Sequence, residues 1–132
     1  MNILLTGGTG FIGYNLAQKI SKFDKIFFIK RLKSKNKKLN KNIKVINYSN
    51  IKNLNQKLQK IKVDIVIHAA THYSKDHNIN DLEKFSNSNI LFGNVILENL
   101  EKMKVKKFIN FSTVWEDYDL IKENPYNLFS AY

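Results

Sequence analysis

The chain opens with a short apolar run that is followed at once by three glycines spaced three residues apart. Asn2–Thr6 (NILLT) is predicted to be a buried strand, and Gly7, Gly10 and Gly13 follow it. Gly7 suits a sharp turn, because a positive φ is easy only for glycine. Without side chains, Gly10 would let a diphosphate approach the backbone, and Gly13 would let a helix pack closely on the strand.

This arrangement predicts an anion-binding site at the start of the first helix. The first N–H groups of a helix have no partner within the helix and present a partial positive charge to a phosphate. An ordinary glycine turn is the alternative, but the position between the first strand and a helix favours dinucleotide binding. Besides the three glycines, the candidate cofactor-binding residues at this turn are Thr6, Phe11 and Ile12.

Apolar strands alternate with amphipathic helices along the rest of the chain. Further strands are predicted at Lys25–Ile29, Ile43–Asn47, Asp64–His68 and Lys107–Phe111. Helices are predicted at Gly13–Phe23, Ile51–Ile61 and Ile79–Lys104, and Asn127–Tyr132 could begin another. Continuously apolar strands that alternate with helices predict a parallel sheet covered on both faces. We therefore expect one α/β domain over residues 1–132, with a doubly wound sheet of about five strands.

The net charge of +11 raises the question of a nucleic-acid partner. The basic residues concentrate between Lys30 and Lys44, where no acidic residue occurs. Arg31 is the only arginine of the chain, whereas arginine is the usual residue for bidentate contacts to bases and phosphates. We therefore interpret Lys33–Lys41 as a solvated loop, with an anionic partner as the alternative, and expect no nucleic acid as partner.

Three absences bear on location and metal binding. The chain has no cysteine, which fits a reducing compartment, so the predicted location is the cytoplasm. No apolar run reaches the roughly 18–20 residues of a membrane helix, and the start lacks the basic region of a signal peptide, so no membrane partner is expected. The histidines His68, His72 and His77 are joined by no cysteine or carboxylate cluster, so no metal site is predicted.

Several short motifs together resemble the extended branch of the short-chain dehydrogenase/reductase superfamily. TGGTGFIG at residues 6–13 matches the T-G-G-x-G-F-I-G pattern of that branch. HAA (His68, Ala69 and Ala70) stands where the branch has a motif beside the cofactor, and Asn89 in NILFGNVILENL resembles a motif of the following helix. FINFST resembles the fifth strand, which ends on the active-site serine or threonine.

The resemblance implies a Rossmann-like NAD(P)-binding domain in an enzyme that acts on nucleotide-linked sugars. Enzymes of this branch are longer, so the chain would be their N-terminal, cofactor-binding portion, with an incomplete fold. They often form dimers through the long helix, so a homodimer is one expectation. HAATHY, STVWEDY and PYNLFSAY also resemble the CDP-abequose and CDP-paratose synthase group, which reduces a CDP-4-keto-6-deoxyhexose at C4 for surface polysaccharides.

The end of the second strand bears on the choice between NAD and NADP, because in this fold it meets the adenosine ribose. An acidic residue there binds the ribose hydroxyls and repels a 2′-phosphate, whereas a basic residue attracts it. FFIKRLK places Lys30 and Arg31 at this point with no acidic residue nearby, which favours NADP over NAD. The alternative is that both residues simply begin the solvated loop.

The resemblance also implies the catalytic groups. In the family a tyrosine transfers a proton, a lysine four residues later lowers its pKa, and a serine or threonine hydrogen-bonds the reacting oxygen. Thr113 matches the serine or threonine, with Ser112 as its register alternative. The family's P-x-N-L-Y pattern puts Phe129, which has no proton to give, at the tyrosine position, and Tyr126 or Tyr132 would serve only in a shifted register.

The matching lysine would be residue 133 for Phe129 or residue 136 for Tyr132, and the printed chain ends before both. We therefore expect no sugar turnover by these 132 residues. A non-catalytic dinucleotide-binding or regulatory module is the alternative to a portion of a reductase, epimerase or dehydratase. Tyr73 and Trp115 are candidate contacts to a nucleotide-sugar substrate, and plain packing is the alternative for both.

Overall fold

The structure is a computed structural model that describes residues 1–34, 38–74 and 76–113. Its strands are β1 (Asn2–Thr6), β2 (Lys25–Arg31), β3 (Ile43–Tyr48), β4 (Ile65–His68) and β5 (Lys107–Asn110). They form one sheet in the order β3-β2-β1-β4-β5, and each neighbouring pair is parallel.

Helices connect the parallel strands. They are α1 (Phe11–Ile20), α2 (Ile51–Leu58) and a composite helix over residues 79–98. The composite helix consists of a 3₁₀ turn (Ile79–Asp81), α3 (Leu82–Phe85), a π-helical segment (Ser86–Leu91) and α4 (Phe92–Glu98).

The side chains of the strands pack into two apolar cores, one on each face of the sheet. The core beneath α1 contains Ile3, Leu5, Ala17, Ile26, Phe28, Ile43 and Ile67. The core beneath α2 and α4 contains Leu4, Phe27, Ile29, Ile46, Leu54, Leu58, Val63, Val66, Phe92, Ile96 and Met103. Because both faces are covered, successive residues of one strand can all be apolar. The predicted α/β class with a doubly wound, five-stranded parallel sheet is confirmed.

The first helix begins and ends earlier than the periodicity predicted. It starts at Phe11 rather than Gly13, because Gly10 is extended (φ −76°, ψ 176°) and serves as the N-cap. It ends at Ile20 rather than Phe23, and Phe23 lies exposed in the turns that follow. Gly13 therefore falls inside the first turn of α1, where its missing side chain affects how closely the preceding loop can pack.

The predicted helix Ile79–Lys104 is shorter and less regular than its apolar stripe suggested. It contains the π-helical segment and ends at Glu98, after which Asn99 leaves the helical conformation (φ −100°, ψ 1°). The Asn99 amide donates to the carbonyl four residues earlier (2.8 Å) and to Asn55 of α2 (2.7 Å). Such side-chain bonds compete with helix continuation, and apolar spacing does not report them.

Part of the lysine-rich run is docked rather than freely solvated. The backbone carbonyl of Lys38 accepts hydrogen bonds from the Tyr14 hydroxyl (3.0 Å) and from the Gln18 amide (2.9 Å), both on α1. Leu39 packs against the core beneath α1. The prediction of a solvated loop over Lys33–Lys41 is therefore wrong for Leu39, whereas Lys38 is exposed and only its carbonyl is bound by α1.

Candidate functional site

The strand order places a crevice at the carboxyl ends of β1 and β4. The chain builds β2 and β3 on one side of β1 and then crosses over to place β4 on the other side. The last residues of the two strands, Thr6 and His68, are direct neighbours in the sheet. In open parallel sheets such a point of reversal is where ligands bind. The glycine turn (residues 7–13) and the HAA motif both start here.

Gly7 makes the turn out of β1 in the way that the sequence predicted. Its φ of +69° lies in the left-handed region, which is favourable only for glycine. The backbone of Ala69 also approaches so closely that a Cβ on Gly7 would lie 2.2 Å from the Ala69 carbonyl oxygen. Gly7 therefore allows the loops after β1 and β4 to pack backbone against backbone.

The two other glycines of the triplet differ in what surrounds them. A Cβ on Gly13 would lie 2.5 Å from the Gly7 carbonyl oxygen, so Gly13 permits close packing of α1 on the preceding loop. A Cβ on Gly10 would meet only that same oxygen, at 3.2 Å, and otherwise open space. The Gly10 N–H donates to the Gly7 carbonyl (2.9 Å), which holds the turn closed. The open side at Gly10 is the surface on which a diphosphate could rest.

The start of α1 is suited to an anion. It has no acidic residue in its first turn, and no side chain caps its N–H groups. The partial positive charge of the helix end is therefore not neutralised by the protein. Phe11 is 85% exposed at this end, and Ile12 points along the rim of the neighbouring cavity.

Gly8 is a structural requirement that the reasoning on the triplet missed. A Cβ on Gly8 would lie 2.0 Å from the ring of Phe28, in the middle of β2. The paired glycines of TGG were the available signal, but which ring fills the space depends on the pairing of β1 with β2. Gly8 thus secures the packing beneath the turn rather than the turn itself.

A buried hydrogen-bond network joins the ends of β1 and β4. The Thr6 Oγ1 accepts a bond from the Ala70 N–H (3.1 Å) and lies 2.9 Å from His68 Nδ1. Thr6 is completely buried, so its hydroxyl is already used inside the protein. The network holds the HAA backbone against the glycine turn, and direct contact of Thr6 with a cofactor stays a prediction.

His68 is held between two aromatic rings. Its imidazole stacks on Phe92 of α4 (centroids 5.8 Å apart) and on Phe108 of β5 (6.1 Å). Only 7% of the residue is exposed. Burial disfavours the charged form and lowers the pKa of His68 below its usual value of 6.5. Burial therefore favours the neutral form of the His68 imidazole.

Asn89 anchors the loop that follows the HAA motif. Its Oδ1 accepts a bond from the His72 N–H (2.6 Å), and its Nδ2 donates to the His72 carbonyl (3.2 Å). Asn89 lies in the π-helical segment, a feature that is rare and frequent at functional sites. Its side chain positions the loop, and its predicted contact with a cofactor stays a prediction.

A cavity of about 430 Å³ brings together seven of the predicted site residues. We call it the β4–α4 cavity. It is lined by Ile12, His68, Ala69, Ala70, Thr71, Asn89, Ile90, Gly93, Asn94, Leu97, Phe108, Asn110, Phe111, Ser112 and Thr113. The HAA motif, Asn89 and the serine–threonine pair after β5 thus line one space, and their roles in binding cofactor and substrate stay predictions. None of these lining residues carries a charged side chain.

The two basic residues at the end of β2 are placed differently. Lys30 is buried, with 9% exposed, and follows Phe28 on the α1 face of the sheet. Arg31 is exposed at the last position of the strand and lies close enough to Tyr48 to act on its pKa electrostatically. Arg31 is therefore the accessible one of the two cations predicted to meet a 2′-phosphate.

Tyr73 is about half exposed. Among the residues that the structure describes, it is not one of those that line the β4–α4 cavity. Trp115, Phe129 and Tyr132 lie outside the described residues, so their predicted roles stay predictions.

Among residues 1–34, 38–74 and 76–113, no three histidine, cysteine or acidic side chains converge as metal ligands would. Over the same ranges, no helix has the length and apolar character needed to cross a bilayer.

The fold agrees with a comparison of the sequence with known families. The NAD dependent epimerase/dehydratase family matches residues 3–127. The chain belongs to this family. The family that the glycine, HAA and strand-five motifs indicated is therefore confirmed.

Two relatives share enough sequence to be compared directly. A dTDP-D-glucose 4,6-dehydratase of Dictyostelium discoideum is 35% identical over 123 residues, covering 84% of this chain and 28% of the relative. A CDP-abequose synthase of Yersinia pseudotuberculosis is 30% identical over 122 residues, covering 88% of this chain and 41% of the relative. The chain thus spans less than half of either relative.

A solved structure supports the fold. The UDP-glucuronic acid 4-epimerase of Bacillus cereus, in complex with NAD, superposes with a TM-score of 0.78 at 23% identity. The superposition covers 99% of this chain and 48% of that chain. The described sheet and helices therefore share the fold of that structure over about half of its length.

Proposed function

We propose that this chain binds a nicotinamide dinucleotide with the diphosphate against the glycine turn. The observation that carries the proposal is the pairing of a left-handed Gly7 with an open backbone face at Gly10, directly before α1. The N–H groups at the start of α1 are not capped by a side chain and face no acidic neighbour in the first turn. Backbone donors and the helix dipole together suit a diphosphate.

Calorimetric titration of the 132-residue chain with NADPH and NADH tests the proposal. A methyl group on Gly10 would project into the space that the diphosphate needs, so Gly10→Ala should weaken binding at least about tenfold. Lys19→Ala is the matched control, because Lys19 is exposed in the last turn of the same helix. No heat with either dinucleotide, or equal binding by the Gly10 variant, would contradict the proposal.

We further propose a preference for NADP over NAD. It rests on Arg31, which is exposed at the end of β2, the strand end that meets the adenosine ribose in this type of fold. Arg31→Ala should weaken NADPH binding about tenfold or more and change NADH binding little, since only NADPH carries the 2′-phosphate. Lys33→Ala, an exposed neighbour, is the control for a general loss of charge. Equal affinities of the wild type for the two dinucleotides would contradict the preference.

As part of a longer enzyme, we propose that the chain serves a nucleotide-sugar epimerase, dehydratase or reductase. A CDP-4-keto-6-deoxyhexose 4-reductase is the finer assignment, supported by 30% identity to a CDP-abequose synthase. Thr113 and Ser112 at the β4–α4 cavity would then contact the reacting sugar oxygen, and a nucleotide-sugar would be the substrate. Tyr132 is the proton donor in this proposal only if the register shifts past Phe129.

A non-catalytic dinucleotide-binding module is the second candidate, and Phe129 favours it. The P-x-N-L-Y position of the family carries a phenylalanine here, which cannot exchange a proton. The test is to supply NADPH with a CDP-4-keto-6-deoxysugar and follow the nicotinamide absorbance. We expect no steady oxidation by the 132-residue chain. Steady turnover would show that the tyrosine position assigned here is wrong.

A further inference from the structure

The β4–α4 cavity is lined by His68, whose two ring nitrogens differ in their surroundings. His68 Nδ1 is hydrogen-bonded to the Thr6 hydroxyl, and no hydrogen bond of His68 Nε2 is found among the described residues. The residue is more than nine-tenths buried and lines the cavity. Gly93 of α4 faces this nitrogen, and even a Cβ there would stay 3.6 Å from Nε2. Nε2 therefore lies beside Gly93 at the cavity wall, where the missing side chain leaves room.

The contact between Thr6 and His68 bears on which ring nitrogen carries the proton. Its oxygen already accepts the Ala70 N–H, and its single hydrogen needs an acceptor. Within the described part of the chain, the acceptor found for this hydrogen is His68 Nδ1, which lies 2.9 Å from Thr6 Oγ1. A hydroxyl that donates to Nδ1 leaves the proton of a neutral imidazole on Nε2. Stacking between Phe92 and Phe108 then fixes the direction in which that N–H points.

The position of the cavity indicates which part of a dinucleotide it would receive. A dinucleotide bound across the crevice places one nucleoside on each side of β1. The side toward β2 carries Arg31 and suits the adenosine ribose, whereas the cavity lies on the opposite side, between β4, β5 and α4. Its lining is uncharged, which fits the hydroxyls and carboxamide of a nicotinamide riboside better than a phosphate.

We propose that His68 donates its Nε2–H to an uncharged oxygen of the nicotinamide riboside, and that Thr6 is the positioning residue that fixes this tautomer. The proposal rests on the proposed dinucleotide binding and names the atom that would hold the reactive end. Both the ribose hydroxyls and the carboxamide oxygen have the required acceptor chemistry. A donor held by stacked rings loses little conformational freedom on binding, so it restricts the ligand at low entropic cost.

Calorimetry with NAD, ADP-ribose and ADP separates this contact from the rest of the site. His68→Phe keeps an aromatic ring between Phe92 and Phe108 but removes the donor, so NAD should bind about 2- to 12-fold more weakly. ADP lacks the second nucleoside and should bind with unchanged affinity. His68→Gln, whose amide can replace Nε2–H, should recover much of the loss. A loss shared by ADP-ribose identifies a ribose hydroxyl as the acceptor, and a loss confined to NAD identifies the carboxamide.

His77→Phe is the matched control, because His77 is exposed and does not line the described cavity. Equal NAD affinity of wild type and His68→Phe, with ADP binding intact, would overturn this inference and leave the proposed function standing. Binding of none of NAD, NADPH and ADP by the wild type would instead overturn the proposed function and this inference with it.

A second measurement does not depend on the folding of any variant. Nitrogen NMR of the wild type should show His68 protonated at Nε2 and unprotonated at Nδ1 near neutral pH. The Nε2–H signal should shift on titration with NAD and stay in place with ADP. A proton on Nδ1 of His68, or an Nε2 signal that does not shift when NAD is added, would overturn the proposal.

Discussion

Replacing Gly7 with alanine should separate the folding role of the glycine turn from its binding role. The alanine would have to adopt the φ of +69° that Gly7 has, and its Cβ would lie 2.2 Å from the Ala69 carbonyl oxygen. Gly10→Ala is the natural comparison, because Gly10 has an ordinary φ of −76° and its Cβ would meet one atom at 3.2 Å. The two variants add the same methyl group three residues apart.

The expected magnitudes differ clearly. A left-handed conformation costs an L-residue about 1–2 kcal/mol. Relief of the clash with Ala69 requires a backbone shift, and overpacking of this kind costs about 1–3 kcal/mol. Gly7→Ala should therefore lose about 2–5 kcal/mol of unfolding free energy. Gly10→Ala should lose less than about 1 kcal/mol of unfolding free energy, because Gly10 has an ordinary φ and its Cβ would meet only one atom, at 3.2 Å.

Urea denaturation followed by circular dichroism measures both variants against wild type. A loss of 2–5 kcal/mol is a large part of the roughly 5–15 kcal/mol of a typical domain, so the Gly7→Ala midpoint should fall strongly at unchanged slope. Asparagine at this position tolerates the left-handed φ but keeps the clash with Ala69. Gly7→Asn should therefore recover only the part of the lost unfolding free energy that comes from the unfavourable φ. A Gly7→Ala midpoint indistinguishable from wild type, or one matched by Gly10→Ala, would refute the reasoning.

Three further predictions concern the polar groups around the turn. Thr6→Val removes the acceptor of a buried N–H and should cost about 1–3 kcal/mol in thermal unfolding, whereas Thr6→Ser should stay near wild type. Asn89→Ala frees the backbone of His72, so amide hydrogen exchange at His72 should accelerate while exchange in the sheet stays unchanged. The backbone N–H of Asn2 lowers the pKa of the Asp64 carboxyl, so the stability that this carboxylate contributes should be present above its usual pKa of 3.8 and vanish as pH falls below it. The difference between wild type and Asp64→Asn in acid denaturation should accordingly shrink, and a difference that persists in strong acid would contradict the assignment.

Local patterns in the sequence correctly predicted the strands and the glycine turn. The strands were predicted to within two residues because each contains a run of apolar residues, as a sheet covered on both faces requires, although β3 and β5 also contain polar residues. The glycine spacing correctly predicted a left-handed turn at Gly7 and close packing at Gly13. Helix ends were less accurate, since the end at Glu98 depends on the side-chain bonds of Asn99, one of which reaches α2.

The sequence by itself determined the layers of this protein and the turn that opens its site, because strand burial and a positive φ act on neighbouring residues. Only the tertiary structure decided what the polar side chains do. Thr6 and His68 are 62 residues apart and meet because β1 pairs in parallel with β4 at one register. Asn89 reaches the His72 backbone because the composite helix brings it beside that loop. A hydrogen bond requires atoms within about 3 Å, and no periodicity along the chain specifies which distant segments come that close.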